Sequence, residues 1–136
     1  MKKTKNTYVV IGSIIIILGV ALIYVFGARP IKIESLDEGL KISGRYGETY
    51  AYEDIDQIQL LTSVFEITDR VDGSSIGSIL RGHFTTTEYG DVMLFVHADI
   101  TTYIKISVDD EIIIFNLASL EETETFYQTL LTKIPV

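Results

Sequence analysis

The sequence predicts a mainly β domain closed by one C-terminal helix and held behind a single membrane-spanning helix. Three observations lead there. Tyr8 to Phe26 is an uncharged run of nineteen residues, thirteen of them Val, Ile, Leu or Phe. From Ile31 onward, short segments alternate apolar with polar and are broken by Gly-, Asp- and Thr-rich connections, the pattern of half-buried strands. Only near the end, over 119–134, does the period become helical.

Residues 1–7 form a basic tail carrying Lys2, Lys3 and Lys5, and 8–28 the predicted transmembrane helix. Nineteen helical residues span roughly 28 Å, close to the roughly 30 Å of a hydrocarbon core. Tyr8 and Tyr24 stand near the two ends, where amphipathic rings favour the head-group level. A cleaved signal peptide is the rival reading, since the lysines make an n-region. The apolar run is too long for it, and Phe26 stands where a cleavage site wants a small residue. Gly12 and Gly19 do not form the GxxxG spacing of a close helix contact. Three lysines precede the span while Arg29 and Lys32 follow it, so the positive-inside bias places the N-terminus in the cytoplasm and 30–136 outside it.

Within 30–136, Ile31–Glu34 and Leu40–Ser43 read as a hairpin joined at Asp37-Glu38-Gly39, and Gly44-Arg45-Tyr46-Gly47 reverses the chain into 48–52. Asp56–Leu61, Phe65–Thr68, His83–Thr87, Val92–His97, Tyr103–Val108 and Ile112–Asn116 are further strands. Asp72 to Phe84, with Gly73, Gly77 and Gly82, reads as one long connection, and its Ile76, Ile79 and Leu80 would fold back on the core. Ser119-Leu120-Glu121-Glu122 is a capping box that opens the helix, and Pro135 stops it. Phe126, Tyr127, Leu130, Leu131 and Ile134 make its apolar stripe.

Strands followed by one C-terminal helix resemble the pleckstrin-homology-like (PH-like) fold. The stretch Ile31–Leu131 is similar to the bacterial PH-like domains found behind a single N-terminal span. The residues carrying the likeness are Leu40-Lys41-Ile42-Ser43-Gly44 with Tyr46-Gly47, Arg81-Gly82-His83-Phe84, Tyr89-Gly90, and Ile114-Phe115-Asn116-Leu117 leading to Glu122-Thr123 and Tyr127. The resemblance implies two near-orthogonal antiparallel sheets capped by the helix, a binding or scaffolding role and no enzymatic activity. The chain departs from the pattern in having eight or nine strands rather than seven, the first hairpin being the addition.

Composition narrows the function. The net charge is −8, and everything after the tail carries −11, from 8 basic and 19 acidic residues. Such a surface repels nucleic acid and anionic head groups. With no cysteine, disulfides, thiolate catalysis and Cys-ligated metals are excluded. Neither G-x-S-x-G nor S-x-x-K is present, the phosphate-loop lysine is missing from 72–84, and Asp109-Asp110-Glu111 lacks the calcium-loop pattern. His83, His97 and Asp99 have no spacing that unites them as metal ligands. The expected protein is thus a non-enzyme without cofactor or metal. Its candidate partner-binding residues are Arg81, His83, Phe84 and Arg45, with Arg81 offering a bidentate guanidinium to a carboxylate. The expected role is recognition of a protein segment or envelope component from a cell-membrane anchor. The alternative is a structural subunit of a membrane assembly held through its span.

Overall fold

The computed structural model describes residues 2–27 and 31–135, with the side chains of the first helix described over 6–22. That helix, α1, covers Lys2–Gly27. Among the described residues no helix is long and apolar enough to cross a membrane, so a membrane crossing is not among the features that the fold establishes. The side chains of Lys2, Lys3, Lys5, Tyr24 and Arg29, on which anchoring and sidedness were read, lie outside the described residues.

Among the described residues nine strands and a second helix follow. β1 (Ile33–Ser35), β2 (Leu40–Ile42) and β3 (Thr49–Tyr50) form an antiparallel sheet in that order. A 3-10 turn at Tyr52–Asp54 leads to β4 (Ile55–Leu61), β5 (Ile67–Ile76), β6 (Ile79–Thr86), β7 (Gly90–His97), β8 (Tyr103–Val108) and β9 (Glu111–Phe115). These six make the second sheet, in the order β4-β8-β9-β7-β6-β5. The expected irregular start of the strand at 56–61 is a register shift between Ile55 and Gln57 in the β4–β8 ladder.

Two features correct the sequence reading. Asp72–Phe84 is not a long loop. β5 and β6 are paired from Ile67↔Thr86 to Ile76↔Ile79, leaving only Gly77-Ser78 as the turn. Gly77 has φ +61, the left-handed backbone that a tight hairpin needs at its first central residue and that glycine adopts without strain. Register shifts at Ile67/Asp69 and Arg70/Asp72 break the alternation of β5, which is why its pattern reads as a loop. The second correction concerns topology. β9 lies between β7 and β8 and runs parallel to β7, so the sheet is not an all-antiparallel meander.

Both faces of the larger sheet bury apolar side chains. On one, Met93, Phe95, Ile104, Ile106, Ile113 and Phe115 meet Leu40, Ile42 and Tyr50 of the small sheet and Leu130 and Ile134 of the C-terminal region. On the other, Phe84, Val92, Leu94, Val96, Tyr103 and Ile114 are joined by Leu61 and Phe65. Phe65 packs on Tyr103 with ring centroids 4.9 Å apart, so the β4–β5 connection helps cover this second core.

The C-terminal helix, α2, spans Leu120–Lys133. Ser119 caps it, its Oγ accepting from the Glu122 amide at 3.1 Å, one half of the predicted box. The core-facing stripe is narrower than the spacing suggests. Leu130 is buried and Phe126 and Tyr127 pack against the core, but Leu131 is exposed.

Candidate functional site

The four candidate partner-binding residues fall into three environments. Phe84 is a buried member of the second core and has no surface to offer a partner. His83 is exposed on β6 and lines a cleft of about 620 Å³. Arg45 is solvent-facing, its guanidinium carbon 5.0 Å from the centre of the Tyr46 ring. Arg81 is buried, with 8% of its surface exposed.

The cleft is negative. Besides His83 and Tyr50 it is lined by Glu48, Asp54, Asp91, Asp109, Asp110 and Glu111. Burial first, then the Glu48 and Glu111 carboxylates, push the Tyr50 phenol far above the ordinary tyrosine range, as expected where negative potential opposes a further anion. No group of three or more His, Asp or Glu residues among those described is arranged to hold a metal ion.

Arg81 is the chemically unusual residue. Residues two apart on a strand share a face, so Arg81 lies on the face of Ile79 and His83, paired across the ladder with Phe95 on β7 and Ser74 on β5. Its Nε and Nη2 are buried and have no hydrogen-bond partner, and no carboxylate pairs with it among the described residues. Burial lowers its pKa. The reach of Gly44 toward it places the Ser43–Gly47 loop beside the guanidinium, since a Cβ on Gly44 would stand 3.4 Å from Nη1. That loop takes two left-handed residues, Gly44 at φ +96 and Tyr46 at φ +70, and is closed by the Gly47 amide donating to the Gly44 carbonyl at 3.1 Å. The Tyr46 hydroxyl donates to Asp72 Oδ1 at 3.0 Å, tying the loop to β5.

A buried charge without a partner is costly, and replacing buried ionic groups by apolar ones of similar volume is often stabilising. Arg81→Met is therefore expected to raise the stability of the ligand-free protein by about 1–3 kcal/mol, seen as a melting temperature several degrees higher. A fall of similar size would make Arg81 a structural residue.

Sequence reasoning assigned no role to the buried polar residue Asn116, which is fully enclosed. Its Oδ1 accepts from the His97 amide at 2.7 Å, and its Nδ2 donates to the carbonyls of His97, Ile100 and Thr102 at 3.1–3.3 Å. The His97 ring nitrogen Nδ1 stands 3.3 Å from the same Oδ1, so that histidine belongs to a structural network.

No family model, no curated protein and no solved structure matches the chain. The PH-like resemblance accordingly rests on the residues quoted for it.

Proposed function

We propose that the chain is a membrane-anchored binding module that recognises a protein segment outside the cytoplasm. The observation that carries this reading is the surface of α1. Its large apolar side chains are exposed on every side rather than along one stripe, with Val9, Ile16 and Ile17 at 69%, 68% and 66%. A helix apolar all round belongs in a core or in a bilayer. Among the described residues β5 touches the helix without enclosing these side chains, and at roughly −0.3 to −0.6 kcal/mol per central Val, Ile, Leu or Phe a bilayer would stabilise the segment by several kcal/mol. The described side chains alone fall short of a bilayer. The helical backbone of 26 residues extends roughly 39 Å, more than the roughly 30 Å required.

The binding half of the proposal draws on the domain. Two packed sheets and a C-terminal helix suit a PH-like scaffold, although the parallel β7–β9 pair lies outside that pattern. β5, ten residues long, ends the larger sheet and has β6 as its one strand partner among the described residues; α1 lies against part of it, and the rest of its edge is one that a partner strand could extend. Bulges and the charges of Asp69, Arg70 and Asp72 guard its first part against indiscriminate pairing. Gly73–Ile76 is uncharged and regular. Tethering raises the effective concentration at the membrane, so a weak contact suffices.

The test uses the cysteine-free background. Ser75→Cys, on the exposed part of β5, is expected to react with a membrane-impermeant maleimide in intact cells, and a photo-crosslinker at the exposed Val71 to capture a discrete protein. Labelling only after lysis would reverse the sidedness, and a crosslinker that captures no protein would remove the binding role.

A further inference from the structure

We infer that Arg81 is a receptor for a carboxylate carried by a partner segment, reached when the Ser43–Gly47 loop moves off the guanidinium. The inference rests on the protein-binding reading above and names the group recognised. Nε and Nη2 form the side-on edge of a guanidinium, the edge that takes a carboxylate through two parallel N–H···O bonds. Those are the two nitrogens of Arg81 that are buried and unpartnered. The unmet donors thus have the geometry of one missing ligand rather than of scattered imperfect packing, and native proteins leave few such groups without a reason.

The cover suits the role. Gly44 adds no side chain over the guanidinium, where a Cβ would already approach Nη1 to 3.4 Å. The loop is short: the Tyr46 ring packs on the edge of the core, and its side-chain tie to β5 is the exposed Tyr46–Asp72 hydrogen bond, an interaction of small net strength that can be removed without the ring. Phe95 and Ile79, both buried, share this face of the sheet and lower the local dielectric, which strengthens a charge-assisted pair once it forms. The charge of the domain selects among anions. A body bearing 19 acids repels a doubly charged phosphate more than a singly charged carboxylate, and a carboxylate held on a peptide brings its own neighbours to offset that repulsion.

The experiment uses the full-length chain in detergent micelles, with the arginine Nε–Hε signals followed by NMR. The chain has four arginines, Arg29, Arg45, Arg70 and Arg81, so Lys replacements of the other three assign Arg81 by elimination without touching it. Sodium acetate is expected to shift the Arg81 signal saturably while leaving those of Arg45 and Arg70 nearly in place, with sodium chloride at matched ionic strength having no such effect. Tyr46→Phe, which loosens the cover, should lower the acetate midpoint about two- to fivefold, the equivalent of a net hydrogen bond of about 0.5–1 kcal/mol. An Arg81 signal that follows chloride as closely as acetate, that stays still, or that answers inorganic phosphate more strongly than acetate overturns the assignment. An unchanged midpoint in Tyr46→Phe overturns the loop as its cover. The two readings fail separately: a crosslinked protein with no acetate response removes the site and keeps the module, and the reverse result removes the module.

Discussion

Asn116→Ala is expected to lower the stability of the domain by about 2–4 kcal/mol, a large share of what a single domain has to spare. The cause lies in the topology. Because β9 is inserted between β7 and β8, the chain must arch from His97 to Tyr103 over the end of β9 without a strand to pair with. The Asn116 side chain supplies the missing partners, accepting from the His97 amide and donating to the carbonyls of His97, Ile100 and Thr102. Its own amide continues the ladder to the Phe95 carbonyl at 3.3 Å. The His97 carbonyl keeps the Ile100 amide as a donor at 3.1 Å, but alanine takes this partner from the His97 amide and the Ile100 and Thr102 carbonyls, a loss of about 1–3 kcal/mol for a group that water cannot reach. Asn116→Asp keeps the acceptor but loses both donors and aims a carboxylate at three carbonyls. Its folded-state pKa is raised by that burial, so the folded state holds the proton more tightly and stability declines as pH rises above about 4. Denaturant midpoints of the two variants across pH check both statements. A change below about 0.5 kcal/mol in Asn116→Ala would show that the arch stands without the side chain.

Gly82→Ala is expected to cost a similar amount for a different reason. Gly82 faces Gly73 across the β5–β6 hairpin, and the two strands come so close that a Cβ on Gly82 would lie 2.3 Å from the Asp72 carbonyl oxygen and 2.5 Å from Gly73 Cα. A Cβ on Gly73 would lie 2.2 Å from the Arg81 carbonyl oxygen. These are backbone atoms held by a ladder, so they cannot turn aside as a side chain would. Gly82 also has φ +117, a region that residues with a Cβ rarely enter. Strain and overlap together amount to about 2–4 kcal/mol, a drop of about 10 °C or more in melting temperature for a domain of this size. Gly90→Asn is the control. Gly90 has φ +68, with nothing within 4 Å of a Cβ, and asparagine tolerates that backbone, so less than about 1 kcal/mol should be lost.

Where alternation and turn chemistry agreed, the fold was legible in the sequence. Tyr103–Val108 is a strand with the predicted bounds, and Ser119 caps the helix that its box announces. The β5–β6 hairpin was not legible as a whole, because two bulges scramble the period of β5 and because three glycines with two separate roles, close approach at 73 and 82 and a turn at 77, look alike in a string. The readable signal was Ile76-Gly77-Ser78-Ile79, a Gly-X pair between apolar residues. The parallel insertion of β9 was out of reach, since local patterns do not encode strand order. At the site, sequence alone singled out Arg81 but placed it on a loop surface, because burial of a lone guanidinium breaks the rule that charged residues stay in water. Phe84 is buried rather than open to a partner: the expected strand His83–Thr87 was too short a pattern to show which of its faces meets the core.

The proposed membrane anchor underlies every proposal about where this domain works, and one fractionation tests it. Cells producing the full-length chain are broken, and the membranes are washed with alkaline carbonate, which strips peripheral proteins. Under this proposal the chain is expected to stay in the pellet and to leave it only with detergent, the apolar side chains exposed around α1 being those that the bilayer would cover. A full-length, folded chain in the aqueous supernatant would contradict the account.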